Sequence, residues 1–157
     1  MRRAPRHAQS CALAVLTAAA VGVLVASGVS ADPPTDYILH CRGCHRPDGS
    51  GVPGGAPSFR GQLAKFLWVP GGREYLVRVP GTAQSELSDA RVAALLNWML
   101  RDFSANSLPS DFVPFTEQEV ARHRRLPLSD VDTVRRLLVG EIGAREAGQA
   151  APALPSR

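Results

Sequence analysis

Aromatic side chains are scarce in this 157-residue sequence, at 6%, while turn formers are plentiful, with 13 Pro and 14 Gly. Such a chain builds only a small core of its own, and a bound group that brings apolar surface would help it fold. Cysteine is also rare: Cys11, Cys41 and Cys44. A structural zinc site normally needs a second cysteine pair, and none exists. A thioredoxin-like dithiol follows a strand in a βαβ unit, a pattern absent here. There is no internal repeat and no constellation of acids and bases suited to catalysis. Hydrophobic content of 45% and charged content of 20% are otherwise ordinary for one modest domain.

The N-terminus reads as an export signal. Arg2, Arg3 and Arg6 precede an uncharged stretch, residues 11–29, and Val29-Ser30-Ala31 offers small residues for cleavage. The alternative is an uncleaved membrane anchor, since about 19 apolar residues nearly span a bilayer. The small-residue exit and Pro33-Pro34 favour cleavage. Removing residues 1–31 takes away three arginines and no acid, so the net charge falls from +4 to +1. The high pI therefore gives no indication of a nucleic-acid partner. Cys11 leaves with the signal, and Cys41 and Cys44 remain in an oxidising compartment, either as a disulfide or bonded to something else.

The remaining chain reads as all-α. Residues 37–45 are expected to form a short helix, and the Gly- and Pro-rich residues 46–61 a long loop of the kind that wraps something. Residues 62–68 suggest one or two helical turns. Residues 73–79 suggest a short helix, with strand possible, ended by Pro80-Gly81. Ser88 and Asp89 introduce the most regular helix, residues 89–103, with Val92, Leu95, Leu96 and Met99 at helical spacing. Thr116 and Glu119 match a capping box before a helix over about residues 117–125. Ser129 and Asp132 suggest another start, over about residues 130–139. The Ala-, Gly- and Pro-rich end, residues 141–157, reads as a disordered tail.

One motif carries the chemistry: Cys41-Arg42-Gly43-Cys44-His45. Two thiols three residues apart on a helical turn reach both vinyl groups of one porphyrin, and the following histidine comes under the iron as proximal ligand. With this motif, residues 36–104 resemble a monohaem class I cytochrome c. The resemblance rests on Asp48-Gly49-Ser50-Gly51, on Pro57-Ser58-Phe59-Arg60-Gly61, and on Leu87-Ser88-Asp89 before the last helix. It implies a small cytochrome c-like helical domain wrapped around one covalent haem c, with residues 105–140 as a short helical extension. It also implies that the Pro57 carbonyl accepts the His45 Nδ1–H, setting its tautomer; a simple loop proline is the alternative. Phe59, Leu63, Phe66 and Leu67 would cover the haem, and Trp98 would sit where the first and last helices cross.

The chain departs from that family in one respect. The loop before the last helix, residues 80–86, has no methionine to serve as sixth ligand. Met99, His123 and Gln84 are the candidates, beside water or an empty position. Met99 otherwise reads as a core residue, and the Arg122-His123-Arg124-Arg125 run as a solvated basic face. His40 precedes Cys41 and cannot swing to the distal side.

The favoured function is an exported, periplasmic one-electron carrier rather than an enzyme, exchanging electrons with a dehydrogenase or another cytochrome. Two alternatives stand beside it. One is a five-coordinate haem protein that binds or reduces a small ligand. The other is a cytochrome subunit of a periplasmic dehydrogenase, with residues 105–140 as the interaction segment. A membrane partner arises only if the N-terminal segment stays uncleaved.

Overall fold

In a computed structural model, which describes residues 32–150, the chain is helical throughout, with no strand among the described residues. The proposed signal segment lies outside them. Helix α1 (Pro33–His40) begins where Asp32 accepts a hydrogen bond from the Thr35 N–H at 3.2 Å, with prolines in its first turn, where no amide donor is missed. The single helix expected over residues 37–45 is divided. The backbone leaves helical geometry at Cys41 and resumes as α2 (Arg42–His45). Arg46, at φ 61°, ends that turn, and the Tyr37 hydroxyl donates to its carbonyl at 2.6 Å.

After the 46–61 loop comes a 3₁₀-helix (Leu63–Trp68), then α3 (Gly72–Arg78), which resolves the helix-or-strand question for that segment. Pro80 does not simply end α3. It occupies the first position of the one-turn helix α4 (Pro80–Ala83), where its fixed φ is suited and its missing N–H costs nothing. Helix α5 (Asp89–Phe103) has the expected bounds, capped by the Ser88 hydroxyl.

A short 3₁₀ turn (Ala105–Ser107) leads to α6 (Glu117–His123), capped by Thr116. The expected capping box is only half formed, because the Glu119 carboxylate turns away to pair with Arg73. Helix α7 (Val131–Ala150) is capped by Asp130, which accepts from the Thr133 N–H at 3.0 Å, not by Ser129. It also runs well past residue 139, through much of the segment read as a disordered tail. Packing explains the difference. Leu138 and Ile142, one turn apart, are buried, the Lys65 ammonium meets Glu146 at 2.7 Å, and Arg145 donates to the Trp68 carbonyl.

These helices share one core. Tyr37 of α1 lies against Trp98 and Phe103 of α5, at ring-centroid distances of 5.6 and 4.9 Å, where the two helices cross. Asp36, fully buried, receives two hydrogen bonds from the Arg91 guanidinium across the same crossing. Helix α6 packs on α5, and α7 on the 3₁₀-helix and α3. Buried Phe115 has both backbone groups bonded to the Asn97 side chain, at 2.7 and 2.9 Å, and the Arg73 guanidinium over its ring at 3.9 Å. The segment after α5 is thus part of the same packed unit.

Candidate cofactor site

A cavity of about 360 Å³ lies inside this bundle. Cys41, Cys44 and His45 come to it from the α1–α2 segment, and Pro57 and Phe59 from the loop that follows. Leu63 and Phe66 contribute from the 3₁₀-helix, Leu76 and Val79 from around α3, and Leu95, Leu96 and Met99 from α5. The wall is therefore mainly apolar, with two sulfurs and an imidazole among its members. A second hollow of about 640 Å³, bounded by Pro47, Asp48, Arg60 and residues 102–106, holds none of these groups.

The loop geometry fixes the imidazole. His45 Nδ1 lies 3.0 Å from the Pro57 carbonyl, which only accepts, so Nδ1 carries the proton and the lone pair is left on Nε2. Gly51 allows that approach. Its φ is 73°, and a Cβ there would lie 2.6 Å from the Ala56 oxygen and from backbone atoms of Pro57 and Ser58. The loop closes on itself through Gly51 N–H to the His45 carbonyl and Val52 N–H to the Ala56 carbonyl. Phe59 stacks on the His45 ring with centroids 3.9 Å apart. Burial lowers the His45 pKa, against the opposing pull of the Pro57 hydrogen bond, and so favours the neutral, ligand-ready imidazole.

The two cysteines are free thiols, Cys41 half-buried and Cys44 exposed. Burial pushes the Cys41 thiol up to about 11, with the Asp36 and Cys44 charges acting in the same direction. The lowered thiol pKa that activates the nucleophile of a redox dithiol runs in the opposite direction to the Cys41 shift. Among the described residues, no group of three or more His, Cys, Asp and Glu side chains is placed to hold a metal ion by itself. The set fits a porphyrin. Two unpaired thiols and one oriented imidazole share an otherwise apolar cavity.

Of the side chains considered for the far side of an iron, Met99 lines the cavity and is buried, whereas Gln84 is exposed and neither it nor His123 lines the wall. His40 lies on the wall beside Cys41. The basic run contains one residue that is not a solvated charge. Arg124 donates to the carbonyls of Ala83, Ser85 and Leu87 and pairs with Asp89 at 2.9 Å. It thereby holds the 80–88 segment, which supplies Thr82, Ser85 and Leu87 to the wall. Tyr75, Val131, Asp132 and Arg135 also line the cavity and were not anticipated. The spacing of Val131, Arg135, Leu138 and Ile142, roughly one turn each, is the signal that a helix face there turns inward.

No protein-family model matches the chain. It is, however, 33% identical over 107 residues to cytochrome c-552 of Thermus thermophilus, covering 57% of this chain and 82% of the relative. A second cytochrome c-552 from the same species gives the same identity over 57% of this chain and 72% of its own length. The chain belongs to the c-type cytochromes. The cofactor of this cytochrome is accordingly one covalently bound haem c, and the all-α fold is that of its family. No helix among the described residues is long and apolar enough to cross a membrane.

Proposed function

We propose that this cytochrome is an exported, single-haem one-electron carrier of the periplasm. In this reading Cys41 and Cys44 form the two thioethers and His45 Nε2 is the proximal iron ligand. One observation carries it: two free thiols and an imidazole whose Nδ1–H is committed to the Pro57 carbonyl share one apolar cavity. When bound, the haem supplies a reversible one-electron couple.

The chain's own residues do the rest. The hydrogen bond to Pro57 fixes the ring and raises its basicity as a ligand. Phe59, Leu63 and Phe66 keep water from one part of the cavity, and Leu95 and Leu96 from another. The wall is mainly apolar, which suits electron transfer better than acid–base catalysis. Residues 1–31 are the signal, residues 36–104 the haem domain, and residues 105–140 the extension, which continues into α7. Exposed Arg42 and Arg46, with the 46–57 loop, frame the face for a dehydrogenase or another cytochrome. The visible spectrum and mass of the exported protein test this. A reducible covalent haem is expected, and a chain that weighs no more than its amino acids, made with a competent haem-ligation system, would overturn it.

A second reading, a five-coordinate haem that binds a small ligand, is favoured by the composition of the 80–88 segment. The residues it gives to the wall, Pro80, Gly81, Thr82, Ser85 and Leu87, include no strong iron donor, which leaves buried Met99 as the one methionine on the wall. Carbon monoxide titration of the reduced protein separates the readings. Complete, rapid binding supports an open position, and no binding supports a sixth protein ligand.

A further inference from the structure

The guanidinium groups of five arginines make no ion pair or hydrogen bond among the described residues: Arg42, Arg46, Arg122, Arg125 and Arg135. Four of them are exposed. Arg135 is partly buried, on the wall of the apolar cavity. A partly buried guanidinium on a mainly apolar wall gives up some hydration without gaining a partner, so the position suits an anion supplied by whatever fills the cavity. Asp132, one turn earlier on α7, also lines the cavity, yet it makes no ion pair with Arg135 within 4.0 Å. Nor is Arg135 there by chance of a loose tail. The Lys65–Glu146 pair, the Arg145 bond to the Trp68 carbonyl, and buried Leu138 and Ile142 fix α7 on the 3₁₀-helix and α3.

The haem supplies such an anion. Its two propionates lie on the porphyrin edge opposite the positions that form the thioethers. The thiols enter the cavity from the α1–α2 segment, while α7 reaches it from the 3₁₀-helix and α3. We propose that Arg135 pairs with a haem propionate, so that α7 is a clasp belonging to the haem site. This rests on the haem reading above. Arg is suited to the task because its planar fork meets a carboxylate with two parallel hydrogen bonds. Tyr75 also lines the cavity, and the Arg135 and Asp132 charges both act on its hydroxyl.

The test uses the full exported chain with haem attached. Arg135→Leu, Arg135→Lys and, as control, Arg136→Leu are compared; Arg136 is exposed and its charge lies one residue away. Covalent haem is first verified by mass and spectrum in each, so failure of the haem reading is seen separately. The reduction potential is then followed against pH. A cation within about 4–6 Å lowers a carboxyl pKa by about 1–3 units, so the propionate-linked change in Arg135→Leu is expected at a pH higher by about one unit or more. Arg135→Lys restores most of the shift, and Arg136→Leu matches the parent. Besides Cys41, Cys44 and His45, which the haem would engage, the titratable groups on the wall are His40, Tyr75 and Asp132; a parallel His40→Gln background removes the remaining histidine. If Arg135→Leu fails to mature, Arg135→Gln, which keeps polarity without charge, is read in its place. A profile in the neutralised variant identical to the parent's would overturn the clasp.

Discussion

The hold of Arg124 on the cavity's edge is open to direct measurement. Its guanidinium makes four hydrogen bonds, three to carbonyls of residues 83–87 and one to Asp89, and only 15% of its side chain is exposed. Replacing it by Ala removes all four and strands three carbonyl oxygens that water reaches poorly. Bonds from a charged donor are worth about 1.5–3 kcal/mol each, but they are not additive, and the freed loop recovers some hydration. The net loss expected is about 3–5 kcal/mol, the range seen when one partner of a buried ionic network is removed. For a domain of this size that lowers Tm by roughly 10–20 °C. Lysine restores the charge but not the fork, so Arg124→Lys should recover less than half. Arg125→Ala, at the exposed neighbour, should stay within about 0.5 kcal/mol of the parent. Thermal unfolding followed by far-UV circular dichroism measures all three. Equal stabilities for Arg124→Ala and Arg125→Ala would refute the reasoning and return the whole run to a solvated face.

Other outcomes follow from the same contacts. Gly51→Ala drives a Cβ into the backbone that presents Pro57, so it should destabilise the holoprotein by about 1–3 kcal/mol and raise the reduction potential as the His45 hydrogen bond lengthens and the imidazole becomes a weaker donor to ferric iron; a variant with unchanged voltammetry would contradict this. Asn97→Ala unpairs both backbone groups of Phe115, at about 1–3 kcal/mol, and should shift one common unfolding transition read by haem absorbance and by circular dichroism; two separated transitions would show an independent extension. Ser104→Ala leaves the Ala64 N–H, 3.0 Å from the buried Ser104 hydroxyl, without its acceptor, for about 1–3 kcal/mol in chemical denaturation. Acid should weaken the fold through Asp32, Asp48 and Asp130. Hydrogen bonds to Thr35, Ser50 and Thr133 lower these carboxyls below 3.8, so their contribution is complete above that value and fades as pH falls beneath it. A Tm that stays flat from pH 5 to pH 2 would count against these caps.

Much of the molecule was legible without coordinates because the relevant physics is local. The Cys41–His45 spacing fixes what one helical turn can reach. Ser88 with Asp89 and the apolar rhythm of residues 92–99 set the bounds of α5, and Thr116 and the Pro-Gly clusters placed other ends within a residue or two. Tertiary packing decided the rest. Whether α7 stops near residue 139 depends on Leu138 and Ile142 finding a surface to bury against, and local composition argues the other way. Whether Arg124 faces water depends on carbonyls some forty residues earlier in the chain, and whether Arg135 faces the cavity depends on how α7 docks on α3. Single-residue propensities carry no record of such distant partners. The sequence alone therefore determined the cofactor chemistry and the main helices, and only the folded chain decided which charges were drawn inward, because desolvation is a property of the assembled surroundings.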